Sequence, residues 1–530
     1  MLGANKERHV ERLVPVALDA YVPADNLYRQ IEAKLDLTFV RDWVADRYAD
    51  RGRPSIDPVV FFKLQLILFF EGCRSERKLM DMARLHLAQR WYLGYALDEP
   101  LPDHSSLTRI RTRLGVDIFQ RFFDRVVELC QEAGLVWGKE LFFDGTKVRA
   151  NADIDSLTPR FAQQARAHVA ELFASDGARV PGEPSSVAPS QRATSSSRSN
   201  ACSVAPPERA ARDATATPTP LPFTGPPALE QQLAQENAGQ WKLLEHRLNP
   251  KRPPSGPYRR ITDFRVSTTD PDAAPMTTGA AAKLGYHDQY VVDGGKARII
   301  VGALVTPADV QDNQAFLDLL DRVRFRYHLH VRRAIADSKY ATGENLRALA
   351  ERGIRAYMPV VDYEQSSALF RHQDFTYDPE SDTYCCPQGE TLRYRGNNYV
   401  TRVRKYSAPA AACAACPVRA RCTDSTAGRR LNRPFDEVYR EQARELQTTE
   451  AYKRALRKRQ VWVEPLFGEA KEWHHLREFR LRGLTNVNIE GLLIAAGQNL
   501  KRWLQAVGRK RPPVPNASVA AAPWAQAFPT

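Results

Sequence analysis

The sequence contains no uninterrupted apolar run of the roughly 20 residues that a membrane-crossing helix needs. Its longest apolar stretch, Val59 to Phe70 (VVFFKLQLILFF), is broken by Lys63 and Gln65 and is expected to be a buried core helix. The opening residues MLGANKERHVERLV hold no apolar segment of the kind a secretory signal carries, so the chain is expected to be intracellular, where disulfides are disfavoured. Cysteine is scarce. Of eight, five (Cys385, Cys386, Cys413, Cys416 and Cys422) fall in one short region, and in a reducing compartment that clustering points to metal. What the chain has in excess is positive charge: 76 lysines and arginines against 62 acids, a formal +14, so a polyanion is the expected large partner. Membrane-surface and heparin-type partners share that signal, so charge defines a class of partner and no more.

Residues 1–135 read as a helical domain, with apolar positions at helical spacing in Val59 to Phe70, Leu79 to Leu93 and Ile118 to Cys130. In LPDHSSLTRIRTRLG, Asp103, Ser105 and Ser106 are candidate caps for a basic helix carrying Arg109, Arg111 and Arg113. With the segment Ser75 to Leu93 this makes either a helix-turn-helix DNA reader or a plain helical hairpin with a solvated basic face. From Glu140 the texture changes: ELFFDGTKVRANA is an apolar run ending at Asp144 and Gly145, which places an acid at a sheet's rim or, on the alternative reading, a turn in a hairpin. Residues 136–175 begin an α/β core that resumes over 228–362. Between them, 176–227 are rich in Ser, Ala, Pro and Thr and are expected to be disordered, flanked by helices at Phe161 to Phe173 and Leu229 to Leu248. The resumed core reads as a hairpin turning at Asp293, Gly294 and Gly295, a helix from Asn313 to Phe325, a strand ending at Asp337, a helix from Gly343 to Arg352 and a strand from Ile354 to Val361. If the strands that end in Asp144 and Asp337 are neighbours in a mixed sheet, their acids meet. A cysteine-rich insertion occupies 363–433, helices fill 434–507, and 508–530 form a loose tail.

Glu464 is followed seven residues later by Lys471, two turns of a continuous helix, so the pair would share a face. Pro465 disfavours helical geometry at Glu464, so the helix is either kinked there or begins with Pro465. Three carboxylates, Asp144, Asp337 and Glu464, make a site for two divalent ions roughly 3.5–4 Å apart of the kind that drives phosphodiester chemistry, and hard oxygen donors favour Mg2+ or Mn2+. In the insertion, Cys386, Cys413, Cys416 and Cys422 have the spacing of a tetrahedral structural Zn2+ site, with Cys385 an equal alternative to Cys386. Trp473, beside His474, either stacks on a splayed base or packs in the core.

Taken together, RGRPSIDPVVFFKLQLILFFEG, LPDHSSLTRIRTRL, FDGTKVRANA, STTDPDA, IADSKYATGENL, the cysteine insertion and VEPLFGEAKEWHHLREFRLRGLTNVNIEGLLIAAGQNLKRWL resemble bacterial insertion-sequence transposases of the DDE type. The resemblance implies an RNase H-like mixed-sheet core, an N-terminal all-helical domain for DNA binding and oligomerisation, and a small zinc-ribbon-like insertion. Asp144, Asp337 and Glu464 match the acid triad and Lys471 the lysine seven residues beyond it. Such proteins often carry Tyr-x2-Arg-x3-Glu-x6-Lys; here Arg457 and Gln460 hold the first two places, Arg459 adjoins them, and Glu469 is a rival third acid. The resemblance further implies a nucleoid-associated homodimer that binds double-stranded terminal repeats, cleaves and transfers DNA ends with two Mg2+ or Mn2+ ions, and uses Arg459 on phosphate oxygens. The alternative is a descendant that binds DNA without cutting it.

Overall fold

The computed structural model describes residues 17–48, 55–159, 265–278, 281–361 and 369–509. The expected helices at Phe161 to Phe173 and Leu229 to Leu248, the low-complexity stretch 176–227 and the tail beyond residue 509 lie outside the described residues.

Helix α1 (Pro58–Phe70) begins where Asp57 accepts from Val59 N at 2.9 Å and proline takes the first helical position. It is apolar on every side because it is enclosed: Phe61, Phe62, Leu64 and Ile67 are fully buried. Helices α2 (Glu76–Leu85) and α3 (Leu87–Leu93) follow, and α4 (His104–Glu132) packs its Phe119 and Phe122 on Phe62. Of the candidate caps, Asp103 takes the position, accepting from Ser105 N at 2.8 Å. Gly115, at φ 69°, interrupts α4 with a left-handed residue that any side chain would strain.

The main sheet contains β1 (Glu140–Arg149), β2 (Ala274–Thr278), β3 (Ala281–Asp293) and β4 (Ile300–Pro307). After α5 (Phe316–Arg326) come β5 (Arg333–Ile335), α6 (Gly343–Glu351) and β6 (Arg355–Tyr357). The strand order is β4-β3-β1-β5-β6, with β2 paired to the first half of β3. β3 runs antiparallel to both β1 and β4, whereas β5 and β6 run parallel to β1. The hairpin forms as expected: Asp293 ends β3 and its carboxylate accepts from Trp137, Gly138 and Gly295 N–H groups at 2.7–2.9 Å. Asp144 and Gly145 do not form a turn, nor does Asp144 end its strand, because pairing with β3 carries β1 on to Arg149.

The cysteine-rich region is a separate antiparallel sheet of β7 (Thr376–Asp378), β8 (Thr383–Cys385), β9 (Thr391–Asn398), β10 (Val403–Ser407) and β11 (Arg430–Pro434). It has its own small core around Tyr384, Leu392, Tyr406 and Cys422. Helices α7 (Glu437–Gln447), α8 (Glu450–Trp462), α9 (Glu464–Trp473) and α10 (Leu484–Arg509) return to the main sheet. The long α10 seals the exposed edge of β4 with side-chain amides: Asn488 bonds the N–H and carbonyl of Val305 at 2.9 and 2.8 Å, and Asn499 those of Ile300 at 2.9 and 2.7 Å. Among the described residues no helix is long and apolar enough to cross a membrane.

Candidate active site

β1 and β5 are parallel, with Phe142 opposite Ile335. Two residues further along each chain stand Asp144 and Asp337, so the pleat brings both acids level at the carboxyl end of β5. Burial pushes the Asp144 carboxyl above its ordinary range and the charge of Asp337 adds to that, against the opposing pull of Arg459. Arg459 Nη2 lies 2.8 Å from Asp144 Oδ1, and Gly145 N donates to the same oxygen at 3.0 Å. Asp337 caps a short 3-10 turn, accepting from Lys339 N at 2.9 Å.

Helix α8 stops at Trp462, and α9 starts at Glu464 with Pro465 in its first turn, so Glu464 and Lys471 share one helix. Lys471 reaches the sheet, where Nζ donates to Thr146 Oγ1 at 2.5 Å. Burial lowers its pKa, while Asp144 and Asp288 work in the opposite sense. Glu464 is exposed and makes no ion pair among the described residues. Its rival Glu469 points elsewhere, bound to Lys501 at 3.0 Å and Arg502 at 2.8 Å.

Asp288 lies opposite Thr146 on β3, fully buried, with no hydrogen bond to either carboxylate oxygen. Burial drives its carboxyl well above the usual range, opposed by the Tyr290 hydroxyl and Lys471. Phe467 of α9 stacks on Tyr290 at 4.5 Å, fixing the helix over this face. Asp288 belongs to none of the motifs described above. Alternation along Leu284, Tyr286, Asp288, Tyr290 and Val292 marks it as the one acid on an apolar face.

The proposed DNA contacts divide. Arg109 and Arg113 are exposed on α4. Arg111 is 4% exposed and bound to Glu76, so it faces inward rather than toward DNA. His474 stacks on Phe69 with ring centroids 3.8 Å apart, and burial holds its pKa down at about 4; a neutral, enclosed ring is no phosphate ligand. Trp473 is 68% exposed, which overturns its reading as a core residue.

In the insertion, Cys386 Sγ accepts from Gln388 N and Glu390 N at 3.4 and 3.3 Å, and Cys413 Sγ from Arg429 N at 3.4 Å. Cys386 and Cys413 pack with Cys422, while Cys385 is exposed on the other side of its strand. Among the described residues, no three or more His, Cys, Asp or Glu side chains stand close enough together to hold a metal ion.

Two family models match, one described as Transposase DDE domain over residues 385–504 and one as Transposase domain (DUF772) over residues 16–113. Together they support an insertion-sequence DDE transposase. No curated relative and no solved structure matches it. The first match takes in Glu464, Lys471 and the five clustered cysteines of this transposase, and the second takes in α1 to α3 and the start of α4. Asp144 and Asp337 lie outside both, so their pairing rests on strand register. DDE transposases generally use divalent metals. The two aspartates fit such an ion chemically: they are hard oxygen donors on adjacent strands, and Arg459 already supplies the positive charge their proximity calls for.

Proposed function

We propose that this transposase binds the terminal inverted repeats of its own element, hydrolyses a phosphodiester at each end and joins the freed 3′-hydroxyl to target DNA. The observation that carries the reading is the register that levels Asp144 with Asp337 on adjacent parallel strands. The order β4-β3-β1-β5-β6, with its first three strands antiparallel and the last two parallel to β1, supports an RNase H-like core. Asp144 and Asp337, with Glu464 brought in from the start of α9, would hold two Mg2+ or Mn2+ ions, which activate the attacking oxygen and stabilise the leaving one. Lys471, anchored by Thr146 on the same face, presents a fixed cation to a phosphate oxygen. Arg459 offers a second cation, planar and able to grip phosphate with two N–H groups. Exposed Arg109 and Arg113 meet the backbone of the end sequence, and exposed Trp473 stacks on a base. Joining two ends calls for two copies of the chain, acting in the nucleoid. Cys386, Cys413, Cys416 and Cys422 would hold a structural Zn2+ once drawn together around the ion, a role supported by the amide N–H groups directed at Cys386 and Cys413.

The test is excision in cells of an element carrying the gene's own flanking ends. Wild type is expected to excise and Asp337→Asn to fail while still binding the ends; excision by the variant at the wild-type rate would remove the acid triad from the mechanism. A second reading, a DNA-binding descendant that does not cut, draws on the exposed position of Glu464 and on the arginine that fills Asp144. It is selected if the wild type binds the ends and never excises.

A further inference from the structure

One cavity of about 510 Å³ is lined by Ser338 and Lys339, the two residues that follow Asp337, and by Thr342, and a second of about 360 Å³ reaches His372 and Tyr377 of the insertion. Val361 and Arg440 line both, so the two adjoin and lead from the turn after Asp337 to the five-stranded sheet. The chemistry changes along this groove. At the acid end the side chain of Lys339 is 66% exposed, beside the two hydroxyls. The one acid in that wall, Asp312, lies 3.0 Å from His287 and 3.5 Å from Lys339, whose ammonium offsets its charge. Midway, Arg440 touches Glu437 only loosely, at 3.6 Å, and its Nε makes no hydrogen bond. At the far end the wall holds the rings of His372 and half-buried Tyr377, backed by the core residue Tyr384, and its two acids are paired, Glu441 with Arg433 at 2.7 Å and Glu437 with Arg444 at 2.8 Å. Cations and hydroxyls giving way to rings match the two faces of a nucleic-acid strand, phosphate and base. Cavities of about 300–1,000 Å³ each enclose one drug-sized ligand, so each of these suits a nucleotide or so of a single strand and not a duplex.

We infer that this groove seats single-stranded DNA leaving the acid pair, with phosphates on Lys339 and Arg440 and a base against the insertion's aromatic wall. The inference rests on the transposase reading and adds a strand path to it. It gives the insertion a part in holding substrate.

The experiment uses the full chain and labelled element-end DNA, either blunt or with a short single-stranded extension at the cut end, titrated at several salt concentrations. Wild type is expected to bind the extended DNA about five- to ten-fold more tightly than the blunt form. Lys339→Gln and Arg440→Gln are each expected to lose most of that preference and to lower the salt slope on extended DNA by about 0.7, the value for one phosphate on a single strand. Blunt-end affinity stays unchanged. Lys339 is exposed, so its variant keeps the fold, and an unchanged melting temperature checks this. Equal losses on both DNAs, or none on either, overturn the groove. So does stabilisation by millimolar inorganic phosphate without any preference for the extension, which marks a small-anion site. Failure of the wild type to bind either DNA defeats the transposase reading itself, a separate outcome.

Discussion

Asp288 is a carboxylate held far from its ordinary state. Buried without a hydrogen-bond partner, its carboxyl is pushed well above the usual range, so the folded protein holds a proton there that the unfolded chain gives up above pH about 4. The folded state therefore binds more protons than the unfolded one, and the contribution of Asp288 is fully present at low pH and is lost as pH rises toward its folded pKa. Asp288→Asn keeps the shape and removes the titration. Its stability relative to wild type should improve with pH above about 4, by up to about 1.4 kcal/mol per pH unit. Urea unfolding of both proteins at pH 5 and pH 8 checks this, and a difference that does not change with pH would mean that Asp288 ionises normally. Arg459 acts in the opposite sense on Asp144: its guanidinium favours the carboxylate that burial disfavours. Alternation along its strand shows that Asp288 faces the core, but the pull of Arg459 on Asp144 was invisible in the sequence, since it comes from a helix more than 300 residues further along the chain.

Elements were easier to read than residues. The helix Val59 to Phe70, the hairpin at Asp293, the cap at Asp103 and the restart of a helix at Pro465 follow from local chemistry, namely apolar content, turn residues and proline, which the sequence displays directly. Where local signals misled, a tertiary partner had taken over. Asp144-Gly145 looks like a turn until β3 pairs with it, and Trp473 looks like core until α9 turns it outward. The clamp of α10 on β4 could not be read at all, because nothing in two asparagines eleven residues apart announces an edge strand. Asn499→Ala leaves the N–H and carbonyl of Ile300 buried without partners, which should cost about 2–4 kcal/mol, seen as a lower urea midpoint and faster hydrogen exchange at Ile300. Unchanged exchange there would show that the edge is satisfied in another way. For the insertion, Cys416→Ser is expected to lower bound zinc and to make its strands easier to cleave by protease. A zinc-free wild type, purified without chelator, removes the metal from the account.

Across the whole molecule the helical region and the sheet are held together by buried charge. Asp124 of α4, fully enclosed, takes Arg322 at 2.9 Å, Arg326 at 3.3 Å and the Tyr327 hydroxyl at 2.7 Å from α5 and its end. Glu76 of α2 binds Arg111 of α4 and, at 3.0 Å, Arg480 from the segment after α9. The Glu76 carboxyl is held below its ordinary range by these two arginines, even against the burial that alone would raise it. This placement separates three arginines that the sequence presents as one basic stripe: Arg111 ties the DNA-binding candidate to the core, while Arg109 and Arg113 face outward. Removing Glu76 strands two enclosed guanidinium groups, and losing one partner of a buried ion pair costs about 3–5 kcal/mol. Glu76→Ala should therefore lower stability by that order. Arg109→Ala with Arg113→Ala should leave melting nearly unchanged, weaken end binding and reduce its salt slope by about 2, one phosphate for each arginine. Stability and binding read on the same three proteins decide between the two roles. A double variant that binds the ends with the wild-type salt slope would make this helix a strut and place the DNA contact elsewhere.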